Sequence, residues 1–297
     1  NMVSFSKQLS DKQFEYISKR MSKYEIGVTN MYVAHAYEYD KTKVYLYKSK
    51  KLLIQGKSVD KILKFLNISI TKQPTTKLPI NCSFIGCDEV GTGDYFGGIV
   101  CTACYIPVED EQTIAKLGVN DSKKLTSIKM HQIYDELINL LKFKKISIKF
   151  DSAILSPEQY NNLFNKLKNA NAIKAYCHNA AINRLLEKVD KNKNIKIVLD
   201  QFVNEKKYYE YLKKTKVKAQ KIDILTTKAE SKYLAVALAS IISRVLFENQ
   251  MQELSTKAKV KIPFGSVDPT VKKVARKLGS KLPKFAKLHF KITNELN

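Results

Sequence analysis

Tryptophan is absent from this 297-residue chain, acidic residues are few, and no apolar run approaches the roughly 18 residues of a membrane span. The start, Asn1-Met2-Val3-Ser4, lacks the basic-then-apolar layout of a signal peptide. These absences lead us to expect a soluble, cytoplasmic protein without a membrane partner. Cysteine is sparse and odd in number, at five, which predicts reduced thiols and not a disulfide framework. Cys101 and Cys104 have a Cys-x-x-Cys spacing, but no second such pair exists to complete a zinc site. On a strand they would point to opposite faces. The four histidines show no metal spacing, and His178 and His289 read as structural hydrogen-bonders.

Positive charge, by contrast, is abundant. Fifty-two Lys and Arg against 28 Asp and Glu give a formal net charge of +24. Such an excess favours a polyanion, nucleic acid first and an anionic membrane surface second. Abundant Lys, Asn and Ile also mark the drift of AT-rich genomes, so charge supports a nucleic-acid partner without proving it.

Two blocks separate at residues 71–79, Thr-Lys-Gln-Pro-Thr-Thr-Lys-Leu-Pro, which read as an extended linker. The domains expected are 1–78 and 79–297. In the first, an amphipathic helix over 4–21 precedes strands at 24–28, 32–39, 44–47 and 52–55 and a helix over 59–66 with Ser58 as N-cap. A small antiparallel sheet between two helices would leave one face open. Tyr45 and Tyr47 alternate along that sheet, with Lys48, Lys50 and Lys57 nearby. They suit a surface that stacks on bases and neutralises phosphates; strand-forming tyrosines beside a solvated lysine edge fit the pattern equally.

The second block alternates strands and helices, which argues for an α/β architecture. Strands are expected as a pair over 84–106, then at 144–150 and 195–199. Helices are expected at 127–141, 157–167, 170–186, 205–213 and 233–247, with a Lys-rich helical tail at 271–293.

Chemistry concentrates in the stretch from Ile85 to Val100, where Asp88-Glu89 closes an apolar run and Gly91-Thr92-Gly93 follows. Alone, this pattern reads more readily as a strand entering a glycine-rich turn with solvated acids. Asp88 and Glu89 can serve one site only where the strand ends or bends. Glycines there also allow backbone N–H groups to approach a nucleic-acid strand. Phosphodiester hydrolysis by two metal ions needs several converging carboxylates. Asp200, ending the apolar run 195–199, and Glu230, just ahead of a helix, complete a candidate set. Hard carboxylate oxygens suit Mg²⁺ or Mn²⁺. As isolated residues, Asp200 reads equally as a strand-end turn residue and Glu230 as a helix-start acid.

The order of these and further motifs resembles the prokaryotic type 2 ribonucleases H, and ribonuclease HIII more than ribonuclease HII. The further motifs are Asn120-Asp121-Ser122-Lys123-Lys124, Asn171 to Asn179 around Lys174, Leu199-Asp200-Gln201, Lys228-Ala229-Glu230-Ser231 and Lys287-Leu288-His289-Phe290. The resemblance implies a ribonuclease H-like catalytic domain preceded by a small α+β domain similar to the TATA-binding protein. It implies an endonuclease that hydrolyses the RNA strand of RNA/DNA hybrids, leaving 5′-phosphate and 3′-hydroxyl ends; a monomer is expected, although the sequence itself does not reveal the oligomeric state. Asp88, Glu89, Asp200 and Glu230 would be catalytic and hold two Mg²⁺ or Mn²⁺ ions. Gly91, Thr92 and Gly93 would read ribose 2′-hydroxyls. Ser122, Lys123 and Lys124 would hold phosphates, although the two lysines also fit a solvated face, and Asn171 and Lys174 would line the groove. In the first domain the resemblance favours substrate binding by Tyr45, Tyr47, Lys48, Lys50 and Lys57. Thr92 stands where ribonuclease HII carries a basic residue, which weighs against the alternative of incision at single embedded ribonucleotides. The four carboxylates weigh against a non-catalytic hybrid-binding protein. Gly98, Cys177 and Phe264 depart from the family, which commonly has Pro, an apolar residue such as Leu, and a basic residue there.

Overall fold

The computed structural model describes residues 3–28, 30, 32–68, 82–119, 125–190, 194–215 and 217–296. The chain divides into two compact units, Asn1–Lys77 and Leu78–Asn297. The segment 71–79 lies outside the described residues.

The first unit comprises β1 (Val3–Gln8), α1 (Asp11–Met21), β2 (Glu25–Ile26), β3 (Val33–Tyr39), β4 (Thr42–Tyr47), β5 (Lys51–Gly56) and α2 (Val59–Phe65). Its antiparallel sheet has the order β1-β5-β4-β3-β2. The single helix expected over 4–21 is instead a strand and a shorter helix. Val-Ser-Phe-Ser alternates and pairs with β5, and Ser10 then stops the strand and caps α1 in a capping box with Gln13. Ser58 precedes α2 as expected, but its hydroxyl donates to Asp40 Oδ2 at 2.6 Å and accepts no bond from a first-turn N–H of the helix. Val44, Leu46, Leu52 and Ile54 pack against Ile17 and Met21 of α1 and Ile62 and Leu63 of α2. Each such burial contributes ~1.5–3 kcal/mol. The alternate positions Lys43, Tyr45, Tyr47, Leu53 and Gln55 are left half-buried or exposed on the other face.

The second unit comprises β6 (Ser83–Val90), β7 (Ile99–Ile106), α3 (Glu111–Lys116), α4 (Ser127–Lys142), β8 (Lys149–Leu155), α5 (Pro157–Leu167), α6 (Ala170–Leu186), β9 (Ile195–Asp200), α7 (Glu205–Lys213), β10 (Ile224–Thr226), α8 (Leu234–Ala258) and α9 (Pro269–Leu278). The sheet order is β10-β9-β6-β7-β8. β10, β9 and β6 are parallel, while β7 runs antiparallel to both β6 and β8. Helices α5, α6 and α7 start on Ser156, Asn169 and Asn204, each accepting a bond from a first-turn N–H.

Two apolar layers sandwich this sheet. Ile85, Cys87, Cys101 and Leu199 face α6 and α7, whereas Phe84, Cys104 and Val198 face α4 and α8. Cys101 and Cys104 therefore lie on opposite faces, and all five cysteines are free and buried. A Cβ on Gly86 would stand 2.2 Å from the backbone of Ala235 and Val236. Only glycine lets α8 lie this close to β6. α8 is long and apolar enough to cross a membrane by length and composition, but 61% of that window is buried within the protein, as in a core helix. β8 begins five residues later than expected because Ile146 and Ile148 enter the core ahead of the ladder with β7. The tail is α-helical over α9 and then continues in two short 3₁₀ helices, Gly279–Lys284 and Lys291–Glu295.

Candidate active site

β6 and β9 are parallel with Cys87 opposite Leu199, so the next residues, Asp88 and Asp200, are neighbours at one end of the sheet. Both continue the row of Gly86 and Val198 and face α8. The strand runs on to Val90, so Glu89 is not at a strand end and projects to the opposite face. There it meets α6. Lys174 Nζ donates to Glu89 Oε1 at 3.1 Å, and His178 Nε2 lies 2.9 Å from Oε2.

The two adjacent acids therefore sit in opposite fields. Burial, followed by the charge of Glu89, pushes Asp88 up to about 7, with Asp200 adding to the effect. Hydrogen bonds from the Glu89 N–H and Ser240 oppose this only in part. Burial acts to raise Glu89 too, but the hydrogen bond and charge of His178 and the charge of Lys174 pull it down to about 2. Phe202 walls this arrangement, with Lys174 Nζ 4.1 Å from its ring centroid and the His178 ring stacked at 5.8 Å.

Beneath Asp88, the hydroxyl of Ser243 lies 3.2 Å from the Asp88 carbonyl oxygen and 2.8 Å from Thr102 Oγ1. On the other strand, Asp200 Oδ1 accepts from Ala229 N at 2.8 Å, which ties β9 to the turn Ala229–Ser231. Glu230 follows in that turn, is buried, and lines a cavity with Phe84, Glu111 and Tyr233. Among the described residues, no group of three or more His, Cys, Asp or Glu is disposed to hold a metal ion. Asp88 and Asp200 are brought together, and the four carboxylates do not form one ring.

Gly91 has φ +103°, and a Cβ there would stand 2.7 Å from the Phe247 ring and 2.8 Å from the Gly98 carbonyl oxygen. That tight seat leaves Thr92 and Gly93 exposed. Asn171, Lys174 and His178 follow helical spacing along one face of α6. Ser122, Lys123 and Lys124 lie outside the described residues. In the first unit, Tyr45 and Tyr47 lie on the open sheet face, Lys48 and Lys50 in the turn after β4, and Lys57 just after β5. Lys50 Nζ is 2.5 Å from Asp11 Oδ1, so its charge already has a partner.

Sequence reading missed Ser240, Ser243 and Thr102, whose roles depend on α8 crossing β6. It singled out Lys174 without its partner, and treated His178 as structural without seeing that Glu89 is what it holds. The glycine at position 98 has a local reason: its N–H donates to Gln250 Oε1 at 2.8 Å, a bond that a proline there could not make.

The donor chemistry suits a divalent cation, because the hard carboxylate oxygens of Asp88 and Asp200 lie side by side with no cation partner for Asp88 among the described residues. Fold and site together define a metal-dependent endoribonuclease with a ribonuclease H-like catalytic domain. The sequence model of the family described as Ribonuclease HII matches residues 85–293. Ribonuclease HIII of Streptococcus mutans is 34% identical, the match covering 99% of this chain and 97% of that protein. Ribonuclease HIII of Bacillus mycoides is 36% identical over 84% and 83% of the two chains. A crystal structure of Bst-RNase HIII in complex with Mn²⁺ superposes with a TM-score of 0.68 at 27% identity, over 99% of this chain and 98% of that one. The chain belongs to the ribonuclease HIII branch of the ribonuclease HII family.

Proposed function

We propose that this protein is an endonuclease that hydrolyses the RNA strand of RNA/DNA hybrids, leaving 5′-phosphate and 3′-hydroxyl ends, and works as a cytoplasmic monomer. The observation that carries this reading is the pair Asp88 and Asp200, side by side on parallel strands next to an exposed glycine loop. Asp88 and Asp200 would share the Mg²⁺ or Mn²⁺ ions, with Glu89 and Glu230 as outer members of the set. When bound, two such ions supply an activated water and stabilise the leaving oxygen. Lys174 and His178 orient Glu89. The hydroxyls of Ser240 and Ser243 fix Asp88, and the Ala229 N–H fixes Asp200. The backbone of the Gly91-Thr92-Gly93 loop, exposed at Thr92 and Gly93, would contact 2′-hydroxyls and select RNA.

The unit 1–77 is proposed as a substrate-binding domain. Its open sheet face carries Tyr45 and Tyr47 for stacking, and Lys48 and Lys57 lie at its margins for phosphates. Incision at single embedded ribonucleotides is the nearest rival, and Thr92 in place of a basic residue argues against it. The test is cleavage, with Mg²⁺ and with Mn²⁺, of a uniform hybrid against a DNA duplex holding one ribonucleotide. The hybrid should be cut internally and the other duplex poorly; efficient incision 5′ of the lone ribonucleotide would move the protein to the rival class.

A further inference from the structure

Lys287, in a motif to which the sequence assigned no role, is one of the most deeply buried side chains in the protein, at 1% exposure. Its ammonium donates to three consecutive backbone carbonyls, of Gly97 at 2.8 Å, Gly98 at 2.9 Å and Phe96 at 3.4 Å. An ammonium is the one compact side-chain tip with three donors, which matches three convergent acceptors. Burying a cation is costly, and a neutral donor would cost less. That expense at this place points to a demand for geometry.

The surroundings are built to hold this lysine. Phe96 bridges Ala286, Gly97 N donates to Phe285 O at 2.9 Å, and Lys287 N donates to Tyr95 O at 2.9 Å. Asn161 of α5 clamps the same segment, donating to Ala286 O at 2.9 Å and accepting from Leu288 N at 3.0 Å. The Gly98 carbonyl that Lys287 holds, together with the Phe247 ring, occupies the space where a Cβ on Gly91 would stand, so the clamped segment abuts the start of the glycine loop.

We propose that Lys287 is a positioning residue for cleavage: by gathering the carbonyls of Phe96, Gly97 and Gly98, it fixes where the Gly91-Thr92-Gly93 loop meets the RNA strand. The inference rests on the assignment of that loop as the RNA contact. Asp94 and His289 face the ammonium, and the rings of Tyr160, which is also titratable, and Phe290 lie 5.7 and 5.8 Å away. Burial pushes the ammonium down to about 7, with Asp94 opposing. The clamp therefore has all three donors on the acid side of that value and loses one above it.

The test compares the full-length chain with Lys287→Met by hydrogen–deuterium exchange over residues 91–98 and by steady-state cleavage of a uniform hybrid. In the folded variant, exchange in the loop should quicken by about tenfold or more. kcat should fall between roughly tenfold and a hundredfold, with KM within about threefold. In the wild type, loop exchange corrected for its intrinsic chemical rate should rise as pH passes through about 7; this arm decides the matter if the variant fails to fold. Unchanged loop exchange, a kcat within about twofold, or a wild-type loop insensitive to pH would each overturn the proposal. A wild-type chain that leaves hybrids uncut would overturn the functional reading, while the exchange arms would still show whether the clamp exists.

Discussion

Asp88 and Glu89 are bonded neighbours, yet the two faces of β6 treat them in opposite ways. On the α8 face, Asp88 lies beside Asp200, and among the described residues its partners are hydroxyl and N–H donors. On the α6 face, Glu89 has an ammonium and an imidazole within 3.1 Å. Strand alternation makes this division, and it separates a carboxylate with no cation partner among the described residues from one that has two. The first is suited to recruit metal ions. The second is suited to hold the local geometry whether or not an ion is present.

The largest effect should come from breaking the uncompensated side. Asp200→Asn keeps the side-chain volume but removes an anionic ligand, and several kcal/mol of transition-state stabilisation correspond to a loss of roughly a thousandfold in kcat. Hybrid affinity should hardly change. Wild-type turnover by this variant at saturating Mg²⁺ or Mn²⁺ would refute the role given to Asp200.

Weakening the compensated side should cost less. Lys174→Met leaves Glu89 with His178 alone, and loss of such an orienting partner typically lowers activity by about 10- to 100-fold. An effect as large as that of Asp200→Asn would mean that Lys174 touches the reacting groups directly.

The same contrast extends to the two units of the chain. Deleting residues 1–78 should leave the catalytic sheet folded while hybrid affinity falls, and the slope of log K against log salt should become shallower by roughly 0.9 for each phosphate that the protein no longer neutralises. Unchanged affinity and slope in a folded truncation would remove the substrate-binding role of the first unit. Binding across a salt series, in an Asp200→Asn background to prevent cleavage, reads this directly.

Glu248 sharpens the comparison as a carboxylate with partners on every side. Burial acts to raise it, but hydrogen bonds from Ser127 at 2.5 Å, Arg244 at 2.6 Å and His131 at 3.0 Å outweigh burial and hold it below the usual carboxylate range. A folded-state value below the unfolded one stabilises the protein above the unfolded value of 4.5, and that contribution fades as pH falls through the depressed value. Glu248→Gln should cost about 1–3 kcal/mol at neutral pH. Denaturant unfolding of both proteins should show this gap narrowing below pH 4.5. A gap independent of pH would mean that packing, and not charge, ties α4 to α8 there.

Much of the fold is legible in the amino-acid sequence, and where sequence reasoning fails the causes are physical. The bounds of α5, α6 and α7 coincide with those expected because Ser156, Asn169 and Asn204 announce their starts through local capping chemistry. β1 was hidden because its partner β5 lies some 50 residues away, and its short alternation merged with the helix that follows. The start of α8 falls within one residue of that expected, but the helix runs eleven residues further, over 248–258, where the polar sequence keeps only Met251 and Leu254 on the buried face. The aspartates stood out as acids closing apolar runs. The cation pair on Glu89 did not, since Lys174 and His178 lie 85 and 89 residues further along and only the packing of α6 on the sheet brings them back. Expecting Asp88 and Glu89 to share a face required β6 to end at them; pairing with β7 carries the strand on to Val90.

The central claim is that the Asp88 and Asp200 face recruits the metal ions, and Mn²⁺ binding to the nucleic-acid-free protein tests it most directly. Titration calorimetry of wild type, Asp88→Asn, Asp200→Asn and Lys174→Met at one pH should show binding abolished or strongly weakened by either aspartate substitution and retained by Lys174→Met. Undiminished Mn²⁺ binding by both folded aspartate variants would contradict it.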